Sequence, residues 1–163
     1  MRTAGFLALA LVSGVAGAMD LKGVAIGTPW DPKAFEGAFN KADAQPPFKV
    51  ECDEYSCMGY SDIGPCSAHV HIAQTDGKVG SILIDFPPTY FGAVADGLLK
   101  KNGKPKVATG VKKQTGLGLQ IVSQTYMWAR DGQSLVAEQY TQTDRSSVFL
   151  TYDRPSETKP SSL

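Results

Sequence analysis

The chain has 163 residues, of which 42% are hydrophobic, and it carries 16 basic and 16 acidic side chains. A formal net charge of zero provides no global attraction to nucleic acid or to an anionic membrane surface, so we expect neither as a partner. The length and the hydrophobic fraction are typical of one globular domain with a sizeable core.

The first residues have the pattern of a secretory signal peptide. Arg2 gives a positive start, an apolar run covers 4–15, and a small-x-small sequence ends at Ala18. A membrane-spanning helix needs about 20 apolar residues, and this run is shorter and is broken by serine and glycine. We therefore expect residues 1–18 to be removed, which leaves a periplasmic or extracellular protein without membrane insertion that begins at Met19.

The next part of the chain predicts a helix followed by three strands. Pro32 suits the first turn of a helix, and Phe35 and Phe39 recur at helical spacing. Asp76-Gly77 is typical of a tight hairpin turn between two alternating segments. We place these elements, in chain order, at 32–42, 48–52, 68–74 and 79–86.

A second helix with better marked ends follows, starting near Thr89. Lysines occupy its last turn, where the helix dipole favours cations, and Asn102-Gly103 supplies the stop. Asp131-Gly132 marks another hairpin turn. The predicted strands of this half are 106–112, 119–129, 134–141 and 147–152.

The two halves share one order of elements, namely a helix, a lysine-containing connection ending in proline, a strand and a hairpin closed by Asp-Gly. A structural repeat is therefore predicted, although two ordinary α+β segments could match by coincidence. We expect an α+β fold in which two tandem helix-plus-antiparallel-strands units form one antiparallel sheet with two helices on one face. The predicted domain covers 19–153, with pseudo-repeats at about 28–86 and 87–153, and a disordered tail covers 154–163.

This arrangement resembles the fold of the β-lactamase-inhibitory protein. The features that carry the resemblance are the signal peptide, the tandem helix-plus-three-strand units and a cysteine-closed loop in the first unit. The stretch from Phe86 to Pro105, ending LLKKNGKP, is also similar to a segment of small exported bacterial proteins. The chain departs from the inhibitor in having three cysteines, which allow only one of its two bridges, and no inhibitory residue is carried over by position.

The three cysteines are Cys52, Cys57 and Cys66. Outside the cytoplasm cysteines are more often paired than free. We expect a Cys52–Cys66 disulfide, because Cys52 ends one predicted strand and Cys66 precedes the next. Such a loop of about 15 residues restricts the unfolded chain by on the order of 3 kcal/mol. A Cys57–Cys66 bridge is the alternative, a Cys52–Cys57 bridge closes too little chain to be preferred, and the role of Cys57 stays open.

The sequence indicates no catalytic site, no metal site and no cofactor. His69 and His71 form an H-x-H pair that could contribute to a zinc site, but no fourth ligand is indicated and both fit the polar face of an alternating strand. Gly59 to Asp62 lacks the G-x-S-x-G pattern of a nucleophile elbow. We therefore expect that the protein is not an enzyme.

The predicted loop 53–65 combines aromatic, apolar and acidic side chains, as many protein interfaces do. The alternative is a loop that folds its aromatic side chains back onto the sheet. The residues we assign to a partner-binding surface are Asp53, Glu54, Tyr55, Met58, Tyr60, Asp62 and Ile63.

These observations favour an exported protein-binding module, most concretely an inhibitor or an immunity protein for a secreted enzyme or toxin. The expected partner is thus another protein, such as a secreted or envelope enzyme. An envelope assembly or accessory factor is the alternative hypothesis. A small hydrolase or a metal-binding protein is a third.

Overall fold

The computed structural model describes residues 18–42, 45, 47–114, 118–142 and 144–152. The predicted tail and residues 1–17 of the predicted signal peptide lie outside these ranges. No helix within them is long and apolar enough to cross a membrane.

The described residues form two helices and ten strands. The helices are α1 (Pro32–Phe39) and α2 (Phe91–Asn102), with a 3-10 turn at Pro88–Tyr90 before α2. A small hairpin of β1 (Asp20–Leu21) and β2 (Val24–Ala25) precedes α1. The remaining strands are β3 (Val50–Cys52), β4 (Ser56–Ile63), β5 (Cys66–Thr75), β6 (Lys78–Phe86), β7 (Val107–Gln114), β8 (Gln120–Arg130), β9 (Gln133–Gln142) and β10 (Arg145–Tyr152).

Strands β3 to β10 form one eight-stranded antiparallel sheet in the order β3-β4-β5-β6-β10-β9-β8-β7. Each half of the chain contributes a helix and a four-stranded meander, and the two meanders join where β6 pairs with β10. The predicted α+β fold class is therefore confirmed. The first unit, however, has four strands where we predicted three.

The missed strand is β4, which occupies most of the predicted loop 53–65. Its alternation is hard to recognise in the sequence because two of its inward positions are the small residues Gly59 and Ser61. Both are small for a physical reason: a Cβ at Gly59 would lie 1.9 Å from the Lys49 carbonyl oxygen, and the buried Ser61 hydroxyl donates to the Phe39 carbonyl of α1. Close packing of β3 and α1 against β4 thus requires small residues at these two positions. Because small residues are not clearly apolar, the sequence of β4 lacks the alternation by which a strand is recognised.

The core lies between the sheet and the helices. One row of directly opposed residues crosses six strands on this side, and its members are at most 4% exposed. The row consists of Cys57, Ile72, Ile82, Leu150, Leu135 and Trp128. Helix α1 packs on β3 and β4 through Phe35 and Phe39, and α2 buries Phe91, Ala95 and Leu98.

Three of the helix ends follow from local chemistry. The Asp31 side chain accepts a hydrogen bond from the Ala34 N–H and caps α1. The predicted first helix ran to residue 42, but α1 ends at Phe39 because the Asn40 amide binds both backbone groups of Val50, at 2.7 and 2.8 Å. Gly103 ends α2 with a φ of +74° and donates its N–H to the Leu99 carbonyl, as the sequence predicted.

Candidate functional site

The cysteine pairing differs from our prediction. Cys52 and Cys57 form the disulfide, and Cys66 is free and buried. Because β4 follows β3 after a short turn, Cys57 lies directly opposite Cys52, with 3.9 Å between the Cα atoms. The predicted Cys52–Cys66 bridge is therefore wrong. Cys66 lies opposite Ile63 at the far end of β4, and six residues of extended chain place it about 20 Å from Cys57.

The free thiol of Cys66 has no sign of reactivity. It is 5% exposed, and it donates to the Ile63 carbonyl across 3.3 Å. Burial raises the pKa of the Cys66 thiol above its ordinary value, which reduces the population of the nucleophilic thiolate. This cysteine is a packing residue of the β4–β5 turn.

The turn between β3 and β4 contains three of the predicted partner-binding residues, Asp53, Glu54 and Tyr55. The Asp53 carboxylate accepts hydrogen bonds from the backbone N–H groups of Tyr55 and Ser56, each at 2.7 Å. These bonds hold the pKa of Asp53 below its usual value. Asp53 is thus a structural residue of the turn, while Tyr55 is 65% exposed at the end of the sheet.

Strand β4 places the other four predicted residues on two faces. Met58, Tyr60 and Asp62 project to the side of the sheet opposite the helices, and we call that side the open face. Ile63 projects to the helix side and packs against the core. The structure therefore brings Met58, Tyr60 and Asp62 together and separates Ile63 from them.

The open face of β5 carries both histidines, as their alternation predicted. Tyr60 lies directly opposite His69, and their rings make an edge contact with centroids 5.2 Å apart. Met58 lies opposite His71. At the end of β4, Asp62 forms an ion pair with Lys41, which holds the pKa of Asp62 below its usual value.

Met58 begins a continuous line of residues across the open face. Following the pairing from β4 to β7, each member lies directly opposite the next one, and all but one are apolar. Met58 is 53% exposed, Phe149 38% and Val107 40%. We call this line the apolar row; it consists of Met58, His71, Leu83, Phe149, Val136, Met127 and Val107.

A parallel row two residues further along the strands is mostly polar. It consists of Tyr60, His69, Asp85, Ser147, Glu138, Thr125 and Thr109. At the junction of the two halves the rows border a shallow depression of about 420 Å³, lined by Leu83, Val136, Phe149, Ser147 and Glu138. The depression thus has an apolar floor with a carboxylate at one side.

The described residues include no group of three or more His, Cys, Asp or Glu side chains that could hold a metal ion. Cys57, which could pair with a histidine in a nucleophilic site, is in the disulfide and projects to the other side of the sheet. Comparisons of the chain with protein-family models, with curated proteins and with solved structures found no match.

Sequence reasoning missed the part of the apolar row contributed by β6, β10, β9, β8 and β7. The alternation of β6, β10, β9 and β8 marks the two faces of each strand, and the sequence shows an apolar residue on the open face of each. What the alternation does not give is the register of β6 against β10, which places Leu83 opposite Phe149. Without that register, the apolar residues of the open face are indistinguishable from single apolar residues scattered over a protein surface.

Proposed function

We propose that this is an exported protein-binding module that engages its partner with the open face of the sheet. Its most concrete role is inhibition of a secreted enzyme or neutralisation of a toxin, as an immunity protein does. The observation that supports the proposal is the apolar row, a set of aligned, solvent-facing side chains that continues across seven strands. The signal-like residues 1–18 and the disulfide both fit a periplasmic or extracellular location.

The face has the size that a protein interface needs. Eight strands at about 4.8 Å spacing extend about 34 Å across the sheet, and four rows of side chains extend about 20 Å along it. The resulting area of about 700 Å² is close to the roughly 800 Å² that each partner buries in a standard interface. The depression at Leu83, Val136 and Phe149 lies at the centre of this area, where binding energy is usually concentrated.

The charges on this face favour a partner with basic groups around an apolar centre. Glu51, Asp62, Asp85 and Glu138 all belong to the open face. Three of them have lysine partners, namely Lys49, Lys41 and Lys113, whereas the ion pairs of the described residues do not include Asp85. Asp85 lies next to the depression between His69 and Ser147, so it is available to a lysine or arginine of the partner.

The proposal is tested by capture from an envelope extract with two matched double variants of the mature protein. Met58→Ser/Phe149→Ser changes two members of the apolar row. Tyr90→Ser/Val122→Ser is the control, because these residues have nearly the same exposures, 39% and 55%, away from the open face. We expect the row variant to bind the captured protein at least about 30-fold more weakly, while the control binds as the wild type does. Equal binding by both variants contradicts the proposal.

A further inference from the structure

A small pocket with a cationic lining lies on the helix side of the second unit, where the connection after α2 meets the end of β8. It has a volume of about 150 Å³ and is lined by Met19, Asn102, Lys104, Lys106, Trp128, Ala129 and Arg130. We call it the cationic pocket. It is separate from the open face, because Trp128 belongs to the buried side of the sheet.

The backbone around this pocket is firmly held. The Trp128 indole donates to the Gly103 carbonyl at 2.8 Å, which fixes the α2–β7 connection on β8. The Lys106 N–H donates to the Met127 carbonyl, also at 2.8 Å. Lys104 and Lys106 are therefore on a fixed segment beside Arg130, the last residue of β8. The fold therefore fixes the backbone positions of the three cationic residues around the pocket before any ligand binds.

No ion pair of the described residues balances the positive charge of this pocket. The sequence contains no acidic residue from 97 to 130. The ion pairs of the described residues use Lys41, Lys49, Lys101 and Lys113, and none of them involves Lys104, Lys106 or Arg130. The C-terminal dipole of α2 offsets about half a charge. Three cations therefore outnumber the negative charge nearby, even when Asp131, the residue after Arg130, is counted with the helix dipole.

We propose that the cationic pocket binds a phosphate-type dianion, either free, on a small phosphorylated molecule or on a lipid headgroup. An arginine fork and two lysine ammonium groups match phosphate oxygens. A phosphate group carries about −1.5 to −2 charges near neutral pH, so it balances three cations better than a single carboxylate does. A volume of about 150 Å³ is large enough for several water molecules, which suits a phosphoryl group with a short substituent.

The experiment uses the two indole N–H signals of the protein in ¹H–¹⁵N NMR. Trp128 reports on the pocket, and Trp30, whose indole N–H faces the Asp53 carbonyl in the first unit, is the internal control. Inorganic phosphate is titrated at constant ionic strength against sodium chloride. We expect a saturable shift of the Trp128 signal and no shift of the Trp30 signal.

Matched variants assign the effect to the pocket. Lys104→Gln/Lys106→Gln should weaken phosphate binding about tenfold or more. Lys78→Gln/Lys112→Gln removes the same charge from exposed positions on β6 and β7 outside the pocket, and it should bind as the wild type does. Because all four lysines are exposed, we expect both variants to fold, and their thermal melts check this.

A second assay, cosedimentation with lipid vesicles, identifies the source of the phosphate group. Wild-type protein is sedimented with vesicles of phosphatidylcholine alone or with phosphatidic acid added. A lipid headgroup is indicated if the protein cosediments only when phosphatidic acid is present and if Lys104→Gln/Lys106→Gln alone loses this binding. A soluble ligand is indicated if phosphate binding is saturable but the protein does not cosediment. The proposal is overturned if phosphate and chloride shift the Trp128 signal equally and the vesicles do not discriminate, or if both double variants lose binding to the same extent.

Discussion

The two units of this protein share one architecture but terminate the sheet in different ways. In the first unit, the edge strand β3 has three residues, is joined to β4 by a disulfide and is covered by α1. In the second unit, the edge strand β7 has eight residues, and most of its side chains are exposed. An exposed edge strand offers unpaired backbone groups to other chains. The first unit shortens and covers its edge, whereas the second places Lys112 and Lys113 on it.

The same contrast is seen in the core and in the chemistry of the two units. Among the described residues, β5 and β6 together bury eight apolar side chains, while the corresponding strands β9 and β10 of the second unit bury four. Acidic groups cluster on the open face of β3 and β4, and unpaired cations surround the pocket at the end of β8. We therefore expect the first unit to supply more of the stability and the open edge of the second unit to tolerate substitution.

The largest expected effect contrasts a buried position of the first unit with an exposed position of the second, both on the helix side of the sheet. Ile72 on β5 is fully buried, whereas Val122 on β8 is 55% exposed. Ile72→Ala should lower the free energy of unfolding by about 2–5 kcal/mol because it leaves a cavity in the core. Val122→Ala should change it by less than about 0.5 kcal/mol. Urea unfolding at pH 7 measures both, and similar losses for the two variants would show that the second unit is packed as tightly as the first.

The second prediction concerns the covered edge. Replacing both Cys52 and Cys57 by alanine removes a short loop closure, for which the entropy of the unfolded chain predicts a loss of about 2 kcal/mol. Peptide mapping without reduction should find the Cys52–Cys57 bridge in the wild type. The matched variant is Cys66→Ala, which retains that bridge. A map that instead contains a bridge to Cys66 contradicts the register of β3, β4 and β5.

The smallest effect is an acid sensitivity that belongs to the first unit. The pKa values of Asp53 and Asp62 are lowered in the folded protein, by backbone hydrogen bonds and by Lys41 respectively. The folded state therefore binds fewer protons than the unfolded chain, so this stabilisation is present above the unfolded pKa of about 4 and is lost as the pH falls below it. Asp53→Asn/Asp62→Asn should lose less thermal stability than the wild type between pH 5 and pH 3.

The control for the acid prediction is Asp131→Asn/Asp144→Asn, which removes the same number of charges from turns of the second unit. We expect this variant to keep the acid sensitivity of the wild type. If it reduces the sensitivity as much as the first-unit variant does, the effect depends on net charge alone. The comparison of melting temperatures at the two pH values distinguishes these outcomes.

The second unit was the easier one to predict from the sequence, and the reason is physical. Its strands are long, alternate clearly and are separated by recognisable turns such as Asp131-Gly132. In the first unit, Gly59 and Ser61 are small because β3 and α1 approach closely, and this packing requirement removed the alternation of β4. The wrong disulfide followed from the missing strand, since Cys52 and Cys57 become neighbours only when β4 is paired with β3.

The candidate site was predictable in part for a related reason. Met58, Tyr60 and Asp62 were recognised as surface residues from their composition, although the segment was interpreted as a loop. The rest of the apolar row depends on contacts between residues far apart in the chain, such as Leu83 and Phe149. No local pattern contains that register, because it arises from the pairing of the last strands of the two units.

The claim that the open face contacts another protein is tested most directly by site-specific photocrosslinking in cells. A photoreactive phenylalanine analogue replaces Phe149 in the apolar row or, as the control, Tyr90 in the turn before α2, which has nearly the same exposure. We predict a discrete crosslinked product from position 149 that is absent for position 90 and is reduced when Met58→Ser is added. Crosslinking at position 90 alone, or none at position 149 in the correctly folded protein, would contradict the account.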